Sequence, residues 1–176
     1  MTEGEGTGKA YVRCEIASKA SSEGEEAFWD ETFQEGCGME IDIGIFYEDT
    51  DCGGVVYYAN YLKYFERART LFLEEAGFSL SELMKQGVLF TVVHCEIFYK
   101  SPAVYREALS VETRLIELSR SVFKFSHRIF EKRSRRLVVE GSAKLVCVGN
   151  DGKIKRMDGK LLDGLRSRVE GTAEDK

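Results

Sequence analysis

The chain is 176 residues long, 43% apolar and 31% charged, which is one domain's worth of sequence and enough to bury a sizeable core. That composition excludes wholesale disorder and collagen-like repeats, and no apolar run is long enough to span a bilayer. The net charge of −5 is unevenly spread: residues 1–38 carry nine acids against three bases, the remainder is nearly neutral, and no basic stripe for a nucleic-acid partner dominates.

Residues 1–38 are a composition outlier. SKASSEGEE and QEGCG are rich in Ser, Glu and Gly, with one aromatic cluster at Phe28, Trp29 and Phe33. They are expected to form a mobile acidic extension. The opening MTEGEGTGK is acidic and Gly-rich, unlike a secretory signal or an Arg-rich transit peptide, so a cytoplasmic protein is expected. Met39, Ile41, Ile43 and Ile45 then alternate with Glu40, Asp42 and Gly44, the pattern of a half-buried strand.

A loop from Tyr47 to Tyr57 leads into a long helix. Asn60 is its expected N-cap, Gly77 its end, and Tyr61, Phe65, Ala68, Phe72 and Ala76 its apolar stripe, flanked by Leu62, Arg69 and Leu73. Ser79 is expected to cap a second, short helix over 80–86. From Val88 the chain reads as strand after strand: VLFTVVHCEIFYK, ALSVETRLIEL, SVFKFSHRIFE and RLVVEGSAKLVCVG. KIKRM is a candidate last strand and residues 159–169 a candidate terminal helix. The order predicts an α+β domain with one long helix on one face of an antiparallel sheet. The domain is expected over 39–157, followed by a partly helical segment over 158–176.

Three smaller features have plain readings. The five cysteines show no CxxC pair and no zinc-ligand spacing, which predicts free thiols; neither metal nor cofactor is expected. Lys132-Arg133-Ser134-Arg135-Arg136 is expected to be a solvated hairpin tip. His127 shares a strand face with Phe123, Phe125 and Ile129, which predicts a core histidine.

The stretch EDTDCGGVVYYANY, residues 48–61, carries the chemistry. It sits between a strand and a helix N-terminus, where unpaired N–H groups and the positive dipole end collect. Gly53 and Gly54 let the backbone approach a ligand closely. A carboxylate beside oriented N–H donors is the minimum arrangement for attack on a carbonyl. From spacing alone, Asp49 and Asp51 fit loop capping equally well.

The run from Tyr47 through Asp49-Thr50-Asp51-Cys52-Gly53-Gly54-Val55-Val56-Tyr57-Tyr58-Ala59-Asn60-Tyr61 into Phe65-Glu66-Arg67-Ala68-Arg69-Thr70 resembles the signature of the hotdog-fold acyl-CoA thioesterases. The similarity is to the 4-hydroxybenzoyl-CoA thioesterase superfamily and, within it, to the Tol–Pal-associated (YbgC-like) branch. It implies a curved antiparallel sheet wrapped around one long central helix, protomers paired edge to edge as a homodimer or tetramer, and a site at the helix N-terminus near the interface. It implies acyl-CoA hydrolysis with Asp51 as general base or nucleophile and the Tyr58 N–H as the carbonyl-polarising donor. Gly53, Gly54, Val55, Tyr57 and Asn60 would bind substrate, and an acyl carrier protein or Tol–Pal-linked proteins would be partners. Many YbgC-like members carry His where this chain has Tyr58, whereas the hydroxybenzoyl-CoA branch carries Tyr. A non-catalytic acyl-group binding or scaffold protein on the same fold is the alternative.

Overall fold

A computed structural model describes residues 38–169; the expected extension, apart from Gly38, and the last seven residues lie outside this range. Five strands form one antiparallel sheet: β1 (Gly38–Gly44), β2 (Leu89–Tyr99), β3 (Ala108–Leu118), β4 (Val122–Glu131) and β5 (Leu137–Val148). Their order is β1-β3-β4-β5-β2, so β1 and β2 are the two edges. Helix α1 (Asn60–Glu75) lies on one face; α2 (Leu80–Lys85) and α3 (Gly159–Arg166) are shorter.

The core follows from the two periodicities. On β4, Phe123, Phe125, His127 and Ile129 are fully buried while their neighbours are half-buried. They meet Phe65, Ala68 and Phe72 of α1: the Phe72 and Phe125 rings pack edge to face at 5.3 Å. Leu161, Leu162 and Leu165 of α3 join the cluster that holds Phe72, Leu115 and Phe125, so α3 is packed into the same core. Gly141 of β5 is where this packing is tightest. A Cβ there would collide with the carbonyl oxygen of Glu96 and lie 2.9 Å from Cε2 of Phe65.

Several local expectations change. Asn60 is the first helical residue rather than the cap; Ala59 holds the N-cap position, with helical dihedrals and no side-chain cap. Ser79 precedes α2 but its hydroxyl bonds Ser81 Oγ at 2.8 Å instead of capping. On α1, Tyr64 is buried at 1% exposure and Leu62 is 41% exposed, a rotation of the stripe toward the sheet edge. KIKRM contributes only the single bridge Val148–Ile154.

The basic cluster is not a free tip. Lys132 pairs with Asp42, and Arg135 Nη2 with Glu112 Oε1 at 2.5 Å. Arg136 Nη2 spans both Glu107 oxygens at 2.9 and 3.0 Å, while Nη1 donates to Ser101 Oγ at 2.9 Å and to the Pro102 carbonyl. The Arg135 side chain lies over Glu112 on the polar face of β3, which accounts for the burial of that carboxylate opposite the apolar face. Glu131 accepts from the Ser134 hydroxyl at 2.5 Å and the Ser134 N–H at 2.7 Å, and these bonds, with one from Arg133 N–H, lower its pKa to about 2.

Candidate active site

The loop before α1 is a miniature hairpin. Tyr57 N–H donates to the Asp49 carbonyl at 2.8 Å, Thr50 bridges Val56, and Asp51 N–H donates to the Val55 carbonyl at 2.9 Å. The turn closes with Gly54 N–H on the Asp51 carbonyl at 3.0 Å, and Gly54 takes a φ of 77°, which a residue with a Cβ rarely adopts. Asp51 Oδ1 accepts from Gly53 N–H at 2.7 Å, an Asx turn. A Cβ on Gly53 would stand 3.0 Å from that same oxygen. Asp51 is exposed, and Oδ2 makes no hydrogen bond among the described residues. The capping geometry and a free carboxylate oxygen therefore coexist on one side chain.

Val55 bridges Val104, and Val56 N–H donates to the Ala103 carbonyl at 2.8 Å, which pins the hairpin to the segment after Pro102. The other end of the hairpin runs into α1. Asn60 N–H donates to the Tyr57 carbonyl at 2.9 Å, and its Nδ2 to the Asp49 carbonyl at 2.9 Å. The Tyr58 N–H has no acceptor among the described residues. Asp51 lies two residues along the hairpin from the Asp49–Tyr57 pair, a rise of about 7 Å.

Tyrosines ring this end of the helix. Tyr58 is 60% exposed and its ring lies 4.5 Å from that of Tyr57. Tyr99 of β2 donates its hydroxyl to the Tyr58 carbonyl at 3.2 Å and packs edge to face on Tyr61 at 5.9 Å. The adjacent Tyr58 phenol raises the Tyr57 pKa, and burial raises that of Tyr99 and pushes that of Tyr61 up to about 12. These phenols stay protonated near neutrality. The buried Tyr64 hydroxyl lies near the Asp49 carboxylate without closing a hydrogen bond; burial first, then that charge, raises its pKa.

Residues outside this constellation are accounted for elsewhere. His127 is fully buried: Thr113 Oγ1 lies 2.9 Å from Nδ1 and Arg69 Nη1 3.4 Å from Nε2. Glu66 accepts from the Thr70 hydroxyl at 2.8 Å. Cys52 and Cys95 are exposed thiols and Cys147 is buried. A cavity of about 530 Å³ opens between β1 and α1, lined by Ile41, Phe46, Asp49, Glu66 and Leu71 among others; neither Asp51 nor Tyr58 reaches it. Among the described residues no group of three or more His, Cys, Asp or Glu could hold a metal.

The sequence profile of the thioesterase-like superfamily matches residues 47–165. The chain belongs to that superfamily. It is 36% identical over 119 residues to the acyl-CoA thioesterase YbgC of Haemophilus influenzae, covering 67% of this chain and 85% of that protein. The DHNA-CoA thioesterase of Staphylococcus aureus superposes with a TM-score of 0.66 at 31% identity, covering 69% of this chain and 81% of that one. A 4-hydroxybenzoyl-CoA thioesterase shares the fold at a TM-score of 0.67 and 20% identity, over 73% of this chain and 99% of that one. The sheet and its helix are the hotdog fold expected from the motif, and the fold class is α+β.

Within this superfamily the sequence motif and the hairpin coincide: Asp51, Gly53, Gly54, Val55, Tyr57, Tyr58 and Asn60 all fall on the hairpin or the first turn of α1. What sequence reasoning missed is Tyr99, forty-one residues on, which reaches the site only through the pairing of β2 with β5. Two cations on the strands and turns are already paired: Lys100 with Glu140 at 2.6 Å and Arg135 with Glu112.

Proposed function

We propose that this protein hydrolyses acyl-CoA thioesters to the free acid and CoA. The observation that carries the reading is the unpartnered Tyr58 N–H at the start of α1, set across a hairpin from the free Oδ2 of Asp51. A thioester carbonyl and an attacking water bound along this hairpin would lie between the two groups. In the general-base route, Oδ2 takes a proton from water as the water oxygen adds to the thioester carbon; the tetrahedral adduct then expels the CoA thiolate, which takes up a proton, and the free acid is left. In the nucleophilic route, Oδ2 itself adds, the thiolate of CoA leaves, and water cleaves the resulting anhydride. In both, the carbonyl oxygen becomes an oxyanion held by the Tyr58 N–H and the helix dipole, a contribution of about 10²–10³ in rate. Gly53, Gly54, Val55, Tyr57 and the Tyr58 ring would line the path of the thioester.

The proposal includes a homodimer or a dimer of dimers. It is supported by the exposed edge strand β2, whose Val92 and Val93 are 46% and 56% exposed and whose ladder edge faces away from β5. A cytoplasmic location, an acyl carrier protein and Tol–Pal-linked partners belong to the same reading on the strength of the resemblance alone.

The second reading is a non-catalytic acyl-binding protein, favoured by the engagement of Asp51 Oδ1 in the Asx turn. Thiol release from a panel of acyl-CoAs separates the two. Turnover by the parent protein and a drop of at least about 10²-fold in kcat for Asp51→Asn, with an unchanged melting profile, support hydrolysis. An Asn variant that turns over like the parent removes Asp51 from the mechanism.

A further inference from the structure

Four hydrogen bonds converge on the peptide units around Tyr58. The Asp49 carbonyl oxygen accepts from Tyr57 N–H at 2.8 Å and from Asn60 Nδ2 at 2.9 Å. The Tyr57 carbonyl accepts from Asn60 N–H at 2.9 Å, and the Tyr58 carbonyl accepts from the Tyr99 hydroxyl at 3.2 Å. Between these fixed points the Tyr58 N–H is left without an acceptor among the described residues, as is the Ala59 N–H beside it. A peptide held on both sides cannot swing its N–H without breaking one of the four bonds.

Two of the four come from side chains. Asn60 is only 6% exposed and stands one residue too far into α1 to cap it. Its amide reaches back across the base of the hairpin instead, an orientation that costs the helix a side-chain cap. Tyr99 comes from the opposite end of the sheet, with its ring steadied by Tyr61. Neither group points a free donor or charge toward the free oxygen of Asp51: the Asn60 amide and the Tyr99 hydroxyl are both engaged with main-chain carbonyls.

We infer that Asn60 and Tyr99 are positioning residues that aim the Tyr58 amide at the developing oxyanion. This reassigns Asn60 from substrate contact to support of the backbone donor, and it rests on the reading of that donor as the oxyanion site. Oxyanion stabilisation depends on donors pre-set for the charge that forms in the transition state, so loosening the clamp acts on kcat and leaves ground-state binding alone.

The test uses the full chain and the acyl-CoA that the parent hydrolyses fastest. Tyr99→Phe removes only the hydroxyl from a ring that is 46% exposed, and Asn60→Asp sets a carboxylate against the Asp49 carbonyl. The expected result is a fall in kcat of about tenfold for Tyr99→Phe and more for Asn60→Asp. KM, and the Kd for a thioether analogue of the substrate that lacks the reacting carbonyl, stay at parental values. Should Asn60→Asp not fold, Tyr99→Phe alone decides. A Tyr99→Phe protein with parental kcat, or one whose loss appears in KM and analogue affinity, overturns the inference while the Asp51→Asn result leaves the thioesterase reading standing. A parent protein with no turnover on any acyl-CoA overturns both.

Discussion

The imidazole of His127 lies flat against the ring of Phe65, with centroids 4.3 Å apart and planes 12° from parallel. The stack joins the middle of α1 to the middle of β4, and it places an ionisable ring at the centre of an apolar core. Burial, and then the Arg69 guanidinium next to it, push the His127 pKa well below its ordinary 6.5. Arg69 is itself lowered by burial. Thr113 Oγ1 meets Nδ1, so the neutral ring has a partner on either side.

Stability should therefore fall in mild acid. A group whose folded pKa is depressed contributes its stabilisation above the unfolded pKa and loses it as the pH drops below 6.5. The loss is at most about 1.4 kcal/mol per pH unit from this one site. Urea midpoints measured at pH 7.5, 6.5 and 5.5 should be level between the first two and lower at the third. In His127→Phe the decline between 6.5 and 5.5 should flatten; an equal decline would assign the acid sensitivity to other groups.

Arg136 ties the β4–β5 turn to the segment around Pro102, which in turn receives the hairpin before α1 through Ala103. Arg136→Met leaves Glu107 without its bidentate partner and should lower stability by about 2 kcal/mol. A double-mutant cycle with Glu107→Gln should return most of that loss as coupling. Additive effects would show that the pair contributes nothing beyond its separate contacts.

Asp49 holds the site through its main chain and the preceding turn through its side chain: Oδ2 accepts from Phe46 N–H at 2.8 Å. Asp49→Asn keeps an acceptor oxygen and the carbonyl that binds Tyr57 and Asn60. Its kcat should stay within about threefold of the parent, against the loss of at least about 10²-fold for Asp51→Asn. Equal losses at the two positions would erase the division of labour between the two carboxylates.

The proposed pairing through β2 can be broken at one residue. Val93 falls at the register shift between Val92 and His94 and is 56% exposed. A lysine there disturbs the β5 ladder least and charges the free edge. Val93→Lys should move the sedimentation coefficient from dimer to monomer at micromolar protein. A parent protein that is already monomeric would dispose of the pairing itself.

The sheet was legible because its strands are long, β-branched and aromatic, and because the alternation on β4 is nearly perfect. The motif from Tyr47 to Thr70 marked the site because its residues are contiguous and the hairpin folds on itself. Long-range partners were not legible. The hydroxyl of Tyr99 and the acids that consume Lys132, Arg135 and Arg136 meet their partners only once strand order is set, and a charge run read locally looks solvated. The place of Asn60 was misread for a related reason: a side chain that could cap the helix found a carbonyl across the hairpin instead.

Gly141 and Phe65 should evolve as a pair. The ring edge of Phe65 occupies the space that any side chain at 141 would need, and the Glu96 carbonyl closes off the other way out. A lineage that gained alanine at 141 would have to move the Glu96 main chain as well as trim the aromatic at 65, and would then lose the flat surface on which His127 rests. Among distant relatives, a small residue at the first position and an aromatic at the second should thus be kept or abandoned together, with the histidine following the aromatic.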